Sequence, residues 1–148
     1  MADIFTKQER SRIMSKITGK ETKPEILVRK YLFALGFRFK KNAIDLPGRP
    51  DIVLPKFKTV IFVHGCFWHG HKNCPKAALP STNTKFWKDK IFKTIERDKL
   101  KANELEEAGW QVLTIWQCEL KNKTKREESL SDLSKNILKI HRTTNQTN

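Results

Sequence analysis

Residues 61–76 read IFVHGCFWHGHKNCPK, and this one stretch holds three of the four histidines, two of the three cysteines and an adjacent Phe67-Trp68 pair. Cys66, His71 and Cys74 stand as C-x4-H-x2-C, close to the short-range ligand spacing of structural zinc sites. Cys118 is the one thiolate left to complete a tetrahedral set. Four protein ligands leave no open position for water, so Zn2+ held there would be structural. Three packed cysteines beside a hydrogen-bonded histidine are the alternative.

His64 and His69 are left over, and two free histidines flanking Cys66-Phe67-Trp68 are candidates for acid/base work near neutral pH. A carboxylate elsewhere calls for such a partner. At about 100° per residue, Trp87, Ile91, Ile95, Asp98, Ala102 and Leu105 fall along one face of a helix, which puts Asp98 in an apolar stripe. A core-facing carboxylate needs a donor or cation, here a loop histidine or, if the helix rotates, a surface lysine. Asp51 follows Pro50 at a predicted strand start, and the partner strand reaches Phe62-Val63-His64. A carboxylate so placed can hold Mg2+ against a phosphate, although an Asp after Gly-Arg-Pro is also an ordinary turn residue.

The elements that must position these groups can be read from period and caps. Thr6-Lys7-Gln8-Glu9 fits a capping box opening a basic helix to about Ile17, and Thr22-Lys23-Pro24-Glu25 fits a second. The second helix carries Ile26, Leu27, Tyr31, Leu32 and Leu35 as its apolar repeat and stops at Gly36. Strands are predicted over Phe37–Lys40, Pro50–Leu54 and Thr59–His64, the last two as an antiparallel hairpin closed by Pro-Lys-Phe-Lys. A long helix from Thr84 to Gly109, a strand Trp110–Trp116 and a helix outlined by Leu130, Leu133, Ile137 and Ile140 follow, and the end TTNQTN is expected to fray. The order ααβββαβα predicts an α/β (mixed) fold, a mixed sheet covered by helices. One domain is expected to span 1–148, with a basic N-terminal helix in 1–20 and a C-terminal helix and frayed tail in 121–148.

Thirty Lys and Arg against sixteen Asp and Glu give a net charge of +14 in 148 residues, which points to a polyanion and first to nucleic acid. Residues 1–41 alone carry eleven bases and four acids. No apolar run approaches the ~18 residues a membrane helix needs, and no signal-like leader is present, so a cytoplasmic, nucleoid-associated protein without membrane attachment is expected.

With these residues assembled, the chain resembles the Vsr-type very-short-patch-repair endonucleases, a branch of the restriction-endonuclease-like PD-(D/E)XK nucleases. LPGRPDIVLP, VIFVHGCFWHGHKNC, FWKDKI, ERD and GWQVLTIWQCEL carry the resemblance from about Thr6 to Leu120. The family's acidic-x-Lys element is replaced by Phe-x-His, here Phe62-Val63-His64.

The resemblance implies that Asp51 ligates Mg2+, His69 activates the attacking water, Asp98 orients His69, His64 lies near the scissile phosphate and Glu25 assists through the metal's water shell. It implies zinc on Cys66, His71, Cys74 and Cys118. Phe67, Trp68 and Trp87 would wedge into DNA from the major groove, with Met14 and Ile17 approaching from the minor groove. The implied reaction is a nick 5′ to the mispaired T of a T·G mismatch in double-stranded DNA. Such mismatches arise where a cytosine-5 DNA methyltransferase has acted; the enzyme is expected to be a monomer, with a MutL-type mismatch-repair protein as a further partner. Glu25 also fits as the last residue of the Thr22 capping box. Met14 and Ile17 also fit as core residues. Two departures stand out: His-Gly-His-Lys-Asn-Cys in place of a run of histidines, and Val63 where a Thr occurs. The rivals are a non-catalytic zinc-stapled DNA-binding module and a related restriction-type nuclease that cleaves both strands without needing a mismatch.

Overall fold

The computed structural model describes residues 23–41 and 43–146, with side chains through residue 139. The first predicted helix, with Met14 and Ile17, and Thr22 of the second capping box lie outside the described residues.

Helix α1 (Lys23–Ala34) turns Glu25, Val28, Arg29 and Leu32 inward, a spacing of three and four that makes one helical face. This corrects the apolar repeat read from the sequence, because Leu27 and Leu35 are exposed while two charged residues are buried. The apolar count missed the face because its charges are balanced by a residue far along the chain, as described below. Gly36, at φ +96°, ends α1, and the Phe37 N–H returns to the Leu32 carbonyl at 3.0 Å.

Strand β1 is only Lys40–Lys41, shifted from the predicted Phe37–Lys40. Phe37 instead enters the core, its ring set edge-on to Phe57 at 5.2 Å. Strands β2 (Ile52–Leu54) and β3 (Thr59–His64) form the predicted hairpin through a 3-10 turn at Pro55–Phe57 and a left-handed Lys58. Helix α2 (Thr84–Glu107) then crosses over to β4 (Gln111–Trp116), which pairs parallel to β3 from Thr59↔Gln111 to His64↔Trp116. Helix α3 (Lys123–Gln146) follows a 3-10 turn at Gln117–Leu120. Its backbone stays helical past Thr143, where fraying was expected, since no Gly or Pro interrupts it.

The sheet order is β1-β2-β3-β4, antiparallel twice and then parallel. The fold is thus mixed α/β with a four-stranded mixed sheet and three helices among the described residues. One sheet face buries Ile52, Leu54, Ile61 and Ile115 against Val28 and Leu32 of α1 and Leu130, Leu133 and Ile137 of α3. The other sets Val53, Val60 and Phe62 against Leu105 of α2. Successive side chains alternate along β3, so Val60, Phe62 and His64 share the α2 side, where Asp98 also lies.

Candidate active site and metal centre

The loop after β3 is folded on itself by three backbone bonds. The N–H of His69 donates to the Gly65 carbonyl at 3.2 Å, that of Gly70 to Phe67 at 3.3 Å and that of His71 to Cys66 at 3.0 Å. Gly70 sits at φ +58°, and a Cβ there would lie 2.6 Å from Ile95 Cδ1 and 2.8 Å from Ile91 Cγ2. The loop backbone therefore rests directly on α2 at the only residue type that fits. Gly70→Ala is expected to destabilise the protein by about 2–3 kcal/mol, from the left-handed backbone and the overpacking together. A urea titration checks this, and wild-type stability in the variant would mean that the loop does not depend on this approach.

Cys66, His71, Cys74 and Cys118 each bring one ligand atom within 4.8 Å of the others. Cys118 arrives on the turn after β4, where Glu119 accepts the Trp116 N–H at 3.2 Å. Its Sγ lies 3.5 Å from His71 Nδ1, and the His71 ring stacks on Trp116 at 4.0 Å. Burial, followed by the neighbouring Cys66 and Cys74, pushes the Cys118 thiol up to about 11. Thiols gathered in this way resist ionising together and favour a cation that would neutralise them. The cluster has the donor set to hold a metal ion.

The second group is acid/base in character. His69 Nδ1 lies 2.7 Å from Asp98 Oδ2, with the two side chains 28% and 30% exposed. The carboxylate accepts, so Nδ1 carries the hydrogen and the Nε2 lone pair is free to take a proton. The stripe on α2 thus holds as predicted, and the partner of Asp98 is the loop histidine rather than a lysine. The His64 ring lies flat on His69, centroids 3.8 Å apart and planes 3° from parallel. His64, His69 and Asp98 are close enough to suggest a metal site, but stacked imidazoles aim their lone pairs in parallel and cannot converge on one ion. Burial, and then the charge on His69, lowers the His64 pKa to about 4.

A sign follows for stability. The unfolded chain takes up the His64 proton near the ordinary histidine pKa of 6.5, whereas the folded chain does so only near 4. Stability from this group is complete above 6.5 and is lost as pH falls towards 4, by about 3 kcal/mol. His64→Asn is expected to flatten that part of the acid limb, as read from urea midpoints at two pH values. An equally steep limb would place the titration elsewhere.

Asp51 is delivered by the LPGRP turn, in which Gly48 and Arg49 both have positive φ and Arg49 N–H donates to Leu46 at 3.1 Å. Its Oδ2 accepts the Val63 N–H at 2.7 Å, which ties it to the strand that ends in His64. Burial raises the Asp51 pKa, partly offset by the Val63 bond, Glu25, His69 and Arg29. Glu25, 5% exposed, is therefore a core-facing neighbour of Asp51 rather than a surface cap. Two buried carboxyl groups in contact require a shared proton or a nearby cation. Arg29, 7% exposed and one turn after Glu25, was missed from sequence, where Glu-x3-Arg was the available signal.

Phe67, Trp68 and Trp87 form an edge-to-face cluster with centroids 5.2–5.8 Å apart. Trp68 is 52% exposed, and Phe86, unremarked in the sequence, extends the cluster at 5.3 Å from Trp87. Lys90 Nζ caps Trp68, Phe86 and Trp87 at 5.6–5.9 Å. A cationic, exposed aromatic platform suits stacking on bases.

The family model described as "DNA mismatch endonuclease Vsr" matches residues 2–76. A "Type II nicking enzyme" of Neisseria meningitidis serogroup A is 54% identical over 93% of this chain and 97% of its own length. One of Xanthomonas oryzae is 43% identical, covering 81% and 88%, and the "DNA mismatch endonuclease Vsr" of Escherichia coli is 41% identical, covering 89% and 85%. A basic α/β chain with this constellation and these relatives is a DNA endonuclease. It belongs to the Vsr family.

Proposed function

We propose that the chain is a Mg2+-dependent, strand-specific endonuclease of restriction-endonuclease-like fold that nicks 5′ to the mispaired T of a T·G mismatch, beginning very short patch repair. The observation that carries this reading is the His69–Asp98 pair, stacked on His64 and set within electrostatic reach of Asp51.

In this reading Asp51 would hold Mg2+ and Glu25 would assist through the metal's water shell; when bound, the ion would supply positive charge to the phosphate undergoing attack. Their buried, touching carboxyl groups suit a hard cation. His69 Nε2 takes the proton of the attacking water, and Asp98 steadies the resulting imidazolium through Nδ1–H. His64 holds the His69 ring flat and in this reading lies near the scissile phosphate, while its Nδ1 is buried and without a hydrogen-bond partner among the described residues. Cys66, His71, Cys74 and Cys118 hold Zn2+, which suits a set of three thiols and one imidazole. That ion staples the loop that carries His69. Phe67, Trp68 and Trp87 test the base stack, since a T·G wobble yields to a wedge more readily than a paired step.

The test is incubation with Mg2+ and two duplexes of one sequence, one with T·G and one fully paired. A single nick 5′ to the mispaired T, in the first duplex only, is expected. A second reading, nicking without a mismatch, is favoured by two relatives being named type II nicking enzymes. Equal cleavage of both duplexes would select it. Trp68→Ala is expected to reduce the T·G preference about tenfold or more, in keeping with the value of one base-stacking contact, while nonspecific binding changes little. An unchanged preference would put the wedge on other side chains.

A further inference from the structure

We propose that Arg29 is a positioning residue of this centre: its guanidinium holds Glu25 and Asp51 in place as a built-in cation and sets how strongly they take a divalent ion. The inference rests on the reading of Asp51 and Glu25 as the carboxylates that serve the metal. Arg29 lies on the buried face of α1, 7% exposed, together with Glu25, Val28 and Leu32. Arginine is almost never so enclosed without paired charge. Glu25 precedes it by four residues, a spacing that sets the two side chains side by side on the helix. The charge of Arg29 also reaches Asp51, whose other partners are the Val63 N–H, Glu25 and His69.

Two ionised carboxylates buried together would repel each other and draw in protons. A guanidinium cannot lose its charge, so at any working pH it stands as a fixed cation beside the pair and opposes the effect of burial on Asp51. The same fixed charge repels an incoming divalent ion, so the centre is ordered when empty and takes its metal less tightly than the carboxylates alone would. A residue that only filled space would have neither effect.

Mn2+ titration by calorimetry, at about pH 8 on zinc-loaded protein, tests this with wild type, Arg29→Gln, Arg29→Lys and Asp51→Asn. Arg29→Gln is expected to bind Mn2+ about tenfold tighter and to gain more in melting temperature from Mg2+, with Arg29→Lys close to wild type. Wild-type Mn2+ affinity and melting gain in Arg29→Gln would overturn the proposal. If Arg29→Gln is unfolded without metal, recovery of its fold in excess Mg2+ supports the stand-in role, and failure to recover assigns Arg29 to the core alone. Equal Mn2+ binding by wild type and Asp51→Asn would remove the metal from Asp51, overturning the functional reading and this proposal with it.

Discussion

His69→Ala is expected to slow nicking about a thousandfold or more, with only a small fall in melting temperature. The size of the first effect follows from losing the one group whose free Nε2 is aligned by a carboxylate. The smallness of the second follows from exposure. Asp98 is 30% exposed, so water can take over the hydrogen bond that His69 vacates, at a cost of about 1 kcal/mol. Asp51→Asn separates the two properties further. Burial raises the Asp51 pKa, so holding that group ionised costs folding free energy, and a neutral isostere removes the cost while its amide oxygen can still accept the Val63 N–H. Nicking by Asp51→Asn is expected to fall as far as in His69→Ala, with a melting temperature equal to or above wild type. Single-turnover nicking and thermal melts on the same preparations measure both. A melting loss that scaled with the activity loss would make these residues structural, and His69→Ala within tenfold of wild type would place the base elsewhere.

The parts of this arrangement that were legible in the sequence are those written in local spacing. C-x4-H-x2-C and one remaining cysteine sufficed to single out the four side chains that gather into a group able to hold a metal ion, because no other thiols compete. The α2 stripe was legible because a helical period is a property of sequence alone, and the misfit of Asp98 in it called for a partner that a nearby histidine provides. The α1 face was not legible. Its Glu25 and Arg29 are buried within reach of Asp51, on a distant turn, and an apolar period cannot report charged groups gathered over that distance. The stacking of His64 on His69 was hidden for a related reason. It depends on how the loop folds back over the end of β3, which Gly70 decides by fitting against Ile91 and Ile95. Strand β1 shortened because Phe37 gains more from the core beside Phe57 than from pairing at the sheet edge.

Cys118→Ser is expected to lose its bound metal and about 3 kcal/mol or more of stability together. Serine keeps the size of the side chain but offers a hydroxyl that does not ionise near neutral pH, so a divalent ion would have three ligands and an uncompensated site. In the proposed metal site the bond lost would be the long-range one: Cys66, His71 and Cys74 lie in a single loop, whereas Cys118 comes from the turn after β4 and would tie that loop to the sheet. Releasing it reopens a closure of more than forty residues, an entropic cost that the loop's own backbone bonds do not offset. The catalytic consequence is indirect. His69 lies between Cys66 and His71, so a loosened loop widens the His69–Asp98 separation, and nicking should fall together with stability rather than apart from it, unlike His69→Ala. Metal content by atomic absorption, a thermal melt and a nicking assay are read on one sample, with chelator-treated wild type expected to behave as Cys118→Ser does. A variant that is fully folded and fully loaded with zinc would take Cys118 out of the ligand set, and the loop would then owe its position to Gly70 and α2 alone.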